Sequence, residues 1–105
     1  MTERQELLER LGVREAFLVH YDTQGSDVRS RTTLNRFLFG RVDVKQVDGE
    51  SKTYRYPGLT DAGAEWVGQS VFLLEPPAGE RMILKLRELG IRHRSRTVYI
   101  PVERG

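Results

Sequence analysis

His20 and Asp22, two positions apart in the run Phe17-Leu18-Val19-His20-Tyr21-Asp22, are the residues of this chain best suited to chemistry. On a strand, alternation sends both to one face and Phe17, Val19 and Tyr21 to the other. A carboxylate at a strand end offers oxygen to a hard cation such as magnesium, and an imidazole two residues earlier offers a proton acceptor or an outer partner to metal-bound water. The competing structural roles are a carboxylate that accepts backbone N–H groups of the following loop, and a histidine satisfied within a sheet or an interface.

Phosphate chemistry also calls for cations, and arginine clusters twice. Arg29, Arg31, Arg36 and Arg41 crowd one segment; Arg92, Arg94 and Arg96, with His93 among them, crowd another. Guanidinium groups grip phosphate in bidentate fashion, and Arg29, Thr33 and Arg36 share one helix face at spacings of four and three. Such a face can lie along a nucleic-acid backbone without reading bases, and Tyr54, Arg55 and Tyr56 add aromatic surface for stacking or groove insertion. The plainer alternative is a solvated, arginine-rich surface. With a net charge of only +2, any basic footprint must come from clustering.

At 105 residues, 38% hydrophobic and 30% charged, the chain fits one folded domain, residues 1–105. It has no cysteine, which excludes disulfides, thiol catalysis and thiolate metal sites. Apolar runs are too short to span a bilayer and the polar amino terminus lacks a signal-peptide core, so no membrane partner and a cytoplasmic location are expected. No Walker loop, dinucleotide fingerprint, paired-histidine zinc motif or serine nucleophile elbow occurs.

The elements that must position these residues follow from pattern. Thr2 and Gln5 make a capping box for a helix over 3–11, ended by Gly12, within an amino-terminal unit of residues 1–12. A strand over 16–21 leads through a loop to a helix over 28–38 with Leu34, Phe37 and Leu38 inward and Gly40 as its stop. Residues 42–57 read as a hairpin turning at Asp48-Gly49. Thr60 to Val67 reads as a short helical turn laying Trp66 on the core, and Gln69 to Leu74 as a buried strand. Pro76-Pro77 opens a helix with Met82, Ile83, Leu86 and Leu89 inward, and 97–102 is a last strand with Pro101 at an edge.

This order predicts an α+β, ferredoxin-like split βαβ sandwich with an inserted β-hairpin and an extra amino-terminal helix. Helices then cover one sheet face only. Leu18, Phe72, Leu74, Val98 and Ile100 are together too apolar for both faces to be wet, so a homodimer, or the amino-terminal helix, is expected to complete the layer.

Val19-His20-Tyr21-Asp22 with Arg29 and Arg31, and Gly68-Gln69-Ser70-Val71-Phe72, resemble segments of the small CRISPR-associated adaptation protein, the non-integrase partner in spacer acquisition, and of its relative, the virulence-associated protein D toxin. The resemblance covers about half the chain. It implies a dimeric ferredoxin-like fold and, in some members, magnesium-dependent nuclease activity at an aspartate matching Asp22. The insertion from about Val42 to Trp66 and the leading helix depart from the family pattern.

The sequence thus points to a homodimer that binds DNA or RNA through Arg29, Arg31, Arg36, Arg41, Arg92, Arg94 and Arg96. Endonuclease chemistry at Asp22 and His20 with Mg2+ on Asp22 is its extension. A toxin-like ribonuclease is a variant of that reading. The alternative is a noncatalytic assembly or regulatory module that uses the open sheet face for oligomerisation or partner binding.

Overall fold

The computed structural model describes residues 2–103. In order along the chain it contains α1 (Glu3–Leu11), β1 (Val13–Asp22), α2 (Val28–Phe39), β2 (Arg41–Val47), β3 (Glu50–Tyr56), a 3-10 turn (Leu59–Asp61), β4 (Ala64–Gly68), β5 (Val71–Leu74), α3 (Pro76–Glu88) and β6 (Arg92–Pro101). It is a mixed α+β fold. The main sheet is four-stranded in the order β4-β5-β1-β6, and every neighbouring pair is antiparallel. It follows that β1 and β4, joined through α2, run parallel with β5 between them. Likewise β5 and β6, joined through α3, run parallel with β1 between them.

The local rules that start and stop the helices are visible at their ends. Thr2 and Gln5 cap α1 reciprocally, and Gly12 ends it at a φ of 69°. Asp27 Oδ1 accepts the Ser30 N–H at 2.7 Å to open α2, and Pro76 and Pro77 occupy the first turn of α3, where an absent N–H costs nothing.

Both α2 and α3 lie on one face of the sheet. Leu34 and Leu38 of α2 and Ala78, Met82 and Leu86 of α3 enclose Val19, Tyr21, Phe72 and Leu74 in a single core. Gly79 sets the closeness of α3 to the sheet, because a Cβ there would run into the Phe17 ring. Phe72 and Leu74 therefore belong to the covered face and contribute nothing to the open one.

Three expectations are corrected. Residues 60–67 do not form a helix with Trp66 in the core: after the 3-10 turn the chain becomes β4, which pairs with β5, and Trp66 is 55% exposed at the sheet margin, edge-on to Phe39. The Gly63 carbonyl accepts the Glu75 N–H at 2.8 Å, a tertiary bond that local pattern does not reveal. Gln69 and Ser70 form the β4–β5 turn, Gln69 with a φ of 47°, instead of opening β5. The last strand starts at Arg92, five residues before the position expected from Thr97, because it pairs with the whole length of β1.

The β2–β3 hairpin forms its own two-stranded sheet. Asp48 and Gly49 both have positive φ, 53° and 80°, as a tight hairpin turn requires. At its root the backbones of Gly40 and Gly58 touch, and a Cβ on either would collide with main-chain atoms of the other side. The ribbon packs on itself, and α1 packs on β1 with Arg4 reaching Tyr99 of β6, no α1 residue being buried. Both project, so the radius of gyration is 17.3 Å against about 13 Å for a compact chain of this length.

Candidate functional site: the open sheet face

The face of the sheet away from α2 and α3 changes character along the strands. Cross-strand pairs on that face are Arg14 with Ile100, Ala16 with Val98, Leu18 with Arg96 and Leu73, His20 with Arg94 and Val71, and Asp22 with Arg92. Toward the Val13 end an apolar patch is flanked by the exposed Arg14 and Glu65: Ala16 has no exposure although it lies outside the helix-covered core, and Leu18, Leu73, Val98 and Ile100 are half-buried. Toward the end of β1 the face becomes cationic.

There Arg92, Arg94 and Arg96 project at a period of two from the terminal strand β6, all exposed, beside His20 and Asp22. His20, Asp22, Arg92, His93 and Arg94, with the turn at Gly90 and Ile91, line a shallow cavity of about 640 Å³. Asp22 is held twice. Its Oδ1 accepts the backbone N–H of Gln24 at 2.9 Å and its Oδ2 lies 3.6 Å from Arg92 Nη2.

Of the residues singled out from sequence, the fold thus gathers His20, Asp22, Arg92, Arg94 and Arg96 on one surface. It separates the rest. Arg29, Arg31 and Arg36 ride on α2, on the covered side of the sheet, although Arg29 and Arg31 begin that helix just beyond the Asp22 loop. Arg41 stands at the ribbon root, its guanidinium 4.5 Å from the centre of the Tyr56 ring and its Nε 3.6 Å from Asp43. His93 turns to the covered face opposite Tyr21, with Nδ1 2.9 Å from the Ile91 carbonyl oxygen.

Beneath the site, burial pushes the Tyr21 hydroxyl above its ordinary pKa, opposed by a hydrogen bond to the Ser70 side chain. Hydrogen bonds from the Ser30 N–H and side chain, with Arg29 and Arg31 nearby, hold the Asp27 carboxyl below its usual value.

Among the described residues no group of three or more His, Asp or Glu side chains converges. Magnesium takes octahedral oxygen ligands and is commonly bound through one or two carboxylates plus waters. Asp22 brings one carboxylate to the site, with one oxygen on a backbone N–H and the other beside a guanidinium.

Sequence reasoning missed Val71 and Leu73 as open-face residues, and it missed the alignment of the β6 arginines. The signal for the latter was present: Arg92, Arg94 and Arg96 continue the alternation of Val98 and Ile100. No helix among the described residues is long and apolar enough to cross a membrane. Neither a family model, nor a curated protein, nor a solved structure matches this chain.

Proposed function

We propose that this chain is a ferredoxin-like, homodimeric protein that binds the phosphate backbone of nucleic acid. The observation that carries this reading is the division of one open sheet face into an apolar half and a half bearing three aligned arginines. The ferredoxin-like assignment is supported by the antiparallel order β4-β5-β1-β6 with its two split βαβ units, the ribbon being an insertion between α2 and β4 and α1 an addition.

An uncovered apolar surface calls for a partner, and a second copy is the economical one because an isologous contact needs no further protein. The row of guanidinium groups supplies a sequence-independent contact to phosphate. The resemblance to adaptation and toxin proteins would add magnesium-dependent cleavage at Asp22. That step requires Asp22 of a second copy to complete the ligand set, and binding is accordingly favoured over catalysis.

Fluorescence anisotropy with labelled DNA and RNA over a salt series tests the reading. Binding should weaken with salt, and Arg92→Ala/Arg94→Ala/Arg96→Ala should lower the slope of log affinity against log salt by about 2–3. No binding at low salt would overturn it. A dimer without nucleic-acid affinity would leave the noncatalytic assembly module, which the apolar half of the face favours.

A further inference from the structure

Resting on that reading, we propose that the β2–β3 ribbon is a second nucleic-acid contact, one that enters the major groove of duplex DNA. A two-stranded hairpin standing alone in water is marginally stable, and every β3 side chain is exposed, as are Val42 (58%) and Val44 (65%) of β2. The close backbone approach of Gly40 and Gly58 fixes how the ribbon leaves the body. Phe39, the last residue of α2, packs on Trp66 of β4 and Phe72 of β5, so the ribbon leaves the body on the β4 side of the sheet, whereas the arginines lie on β6 at the other edge. The two stations are therefore on opposite edges of the main sheet.

The ribbon's two faces differ in chemistry. One carries Arg41, Lys45 and Lys52 with Asp43, Glu50, Tyr54 and Tyr56, and each tyrosine ring already has a cation over it, Arg41 over Tyr56 and Lys45 over Tyr54 at 5.4 Å. Rings so engaged are poor platforms for the unstacked bases of a single strand. The other face presents Val42, Val44, Gln46, Ser51, Thr53 and Arg55, and among the described residues its side-chain hydrogen bond stays within the ribbon, Gln46 Nε2 donating to Ser51 Oγ at 2.8 Å. This is an inventory for base edges: amide for adenine, guanidinium for guanine, apolar groups for the thymine methyl.

Size and charge agree with this partner. Seven residues per strand make a ribbon about 23 Å long. The major groove of B-form DNA, about 12 Å wide, admits a two-stranded ribbon, whereas that of an RNA duplex is too narrow and deep for side chains to read. The ribbon carries four cations, Arg41, Lys45, Lys52 and Arg55, against three acids, Asp43, Asp48 and Glu50, and by register its base-reading face carries Arg55 and no acid.

Anisotropy with a short mixed-sequence duplex DNA, the corresponding duplex RNA and one DNA strand alone tests the proposal. Wild-type protein should favour duplex DNA over duplex RNA by about 10-fold or more. Charge reversal at exposed sites, Lys45→Glu/Lys52→Glu/Arg55→Glu, should cost about 10-fold or more in affinity and reduce the salt slope by about 2–3. Arg55→Ala alone, which leaves the ribbon's pairing intact, should narrow the spread of affinities among duplex sequences. Unchanged binding by the triple variant, or equal affinity for the three probes, overturns the ribbon proposal while the β6 arginine reading stands. Failure of wild-type protein to bind any probe at low salt overturns both.

Discussion

Asp22 and Arg92 face each other across the β1–β6 ladder, Oδ2 to Nη2 at 3.6 Å, while the other carboxylate oxygen accepts the Gln24 N–H. The side chains are 48% and 74% exposed, so the pair contributes on the order of 0–1 kcal/mol. Asp22→Asn keeps an acceptor for Gln24 and removes the anion from among the arginines. Its denaturation midpoint should be nearly unchanged and its nucleic-acid affinity at low salt about 2–5-fold tighter, a gain that fades as salt rises. Weaker binding would show instead that the carboxylate engages the ligand, for example through a shared cation.

Two glycines should respond to alanine unequally. The Cβ of Gly79→Ala meets the Phe17 side chain, which can shift, so a loss of about 1–2 kcal/mol in urea denaturation is expected, partly recovered by Phe17→Leu. Gly58→Ala meets main-chain atoms of Leu38, Phe39 and Gly40, which cannot give way without moving the ribbon root. Its cost should be the larger, about 3 kcal/mol. Equal losses would contradict this ranking.

The acid limb of stability should carry a mark of Asp27. Its pKa is lowered in the folded chain, first by the Ser30 backbone N–H, so its contribution is present above the ordinary carboxylate range and disappears as pH falls through the lowered folded value. Asp27→Asn retains a capping oxygen and removes the titration. Thermal midpoints of the variant should therefore fall less steeply below about pH 4 than those of wild type. Parallel curves would count against the cap as the source.

At the alkaline end the sign is reversed, because burial raises the Tyr21 pKa. The unfolded chain loses that proton first, and stability declines as pH rises past about 10 until the folded value is reached. Tyr21→Phe should flatten this limb in chemical denaturation between neutral and alkaline pH. An unchanged slope would assign the decline to other groups.

The apolar half of the open face gives a direct oligomer test. Leu18→Glu and Ile100→Glu place a carboxylate in the proposed dimer seam without touching the helix-covered core. Sedimentation velocity should show wild-type dimer and variant monomer with unchanged far-UV circular dichroism. A wild-type monomer at high concentration would remove the dimer.

Sequence pattern made legible whatever depends on neighbours in the chain. The Asp48-Gly49 turn, the Thr2 and Asp27 caps and the Pro76-Pro77 start each answer a backbone need within a few residues. The face shared by His20 and Asp22 followed from alternation alone. What stayed hidden depends on pairing at a distance. The strand around Trp66 exists because β5 offers it a ladder, and Arg92 to Arg96 are strand because β1 runs alongside, although their side chains are too polar to announce a sheet. The gathering of His20 with Arg94, far apart in sequence, is a consequence of that same ladder.

The terminal position of β6 has one more effect. Its outer rim is a long line of backbone groups with no neighbour in the sheet, the kind of rim on which identical chains stack into fibrils. Pro101 lacks the N–H that such stacking would use at one end, and at the other Arg92, Arg94 and Arg96 would set like charges beside like in any register that aligns two copies. The residues proposed to attract a polyanion thereby also guard the molecule against polymerising on its own edge.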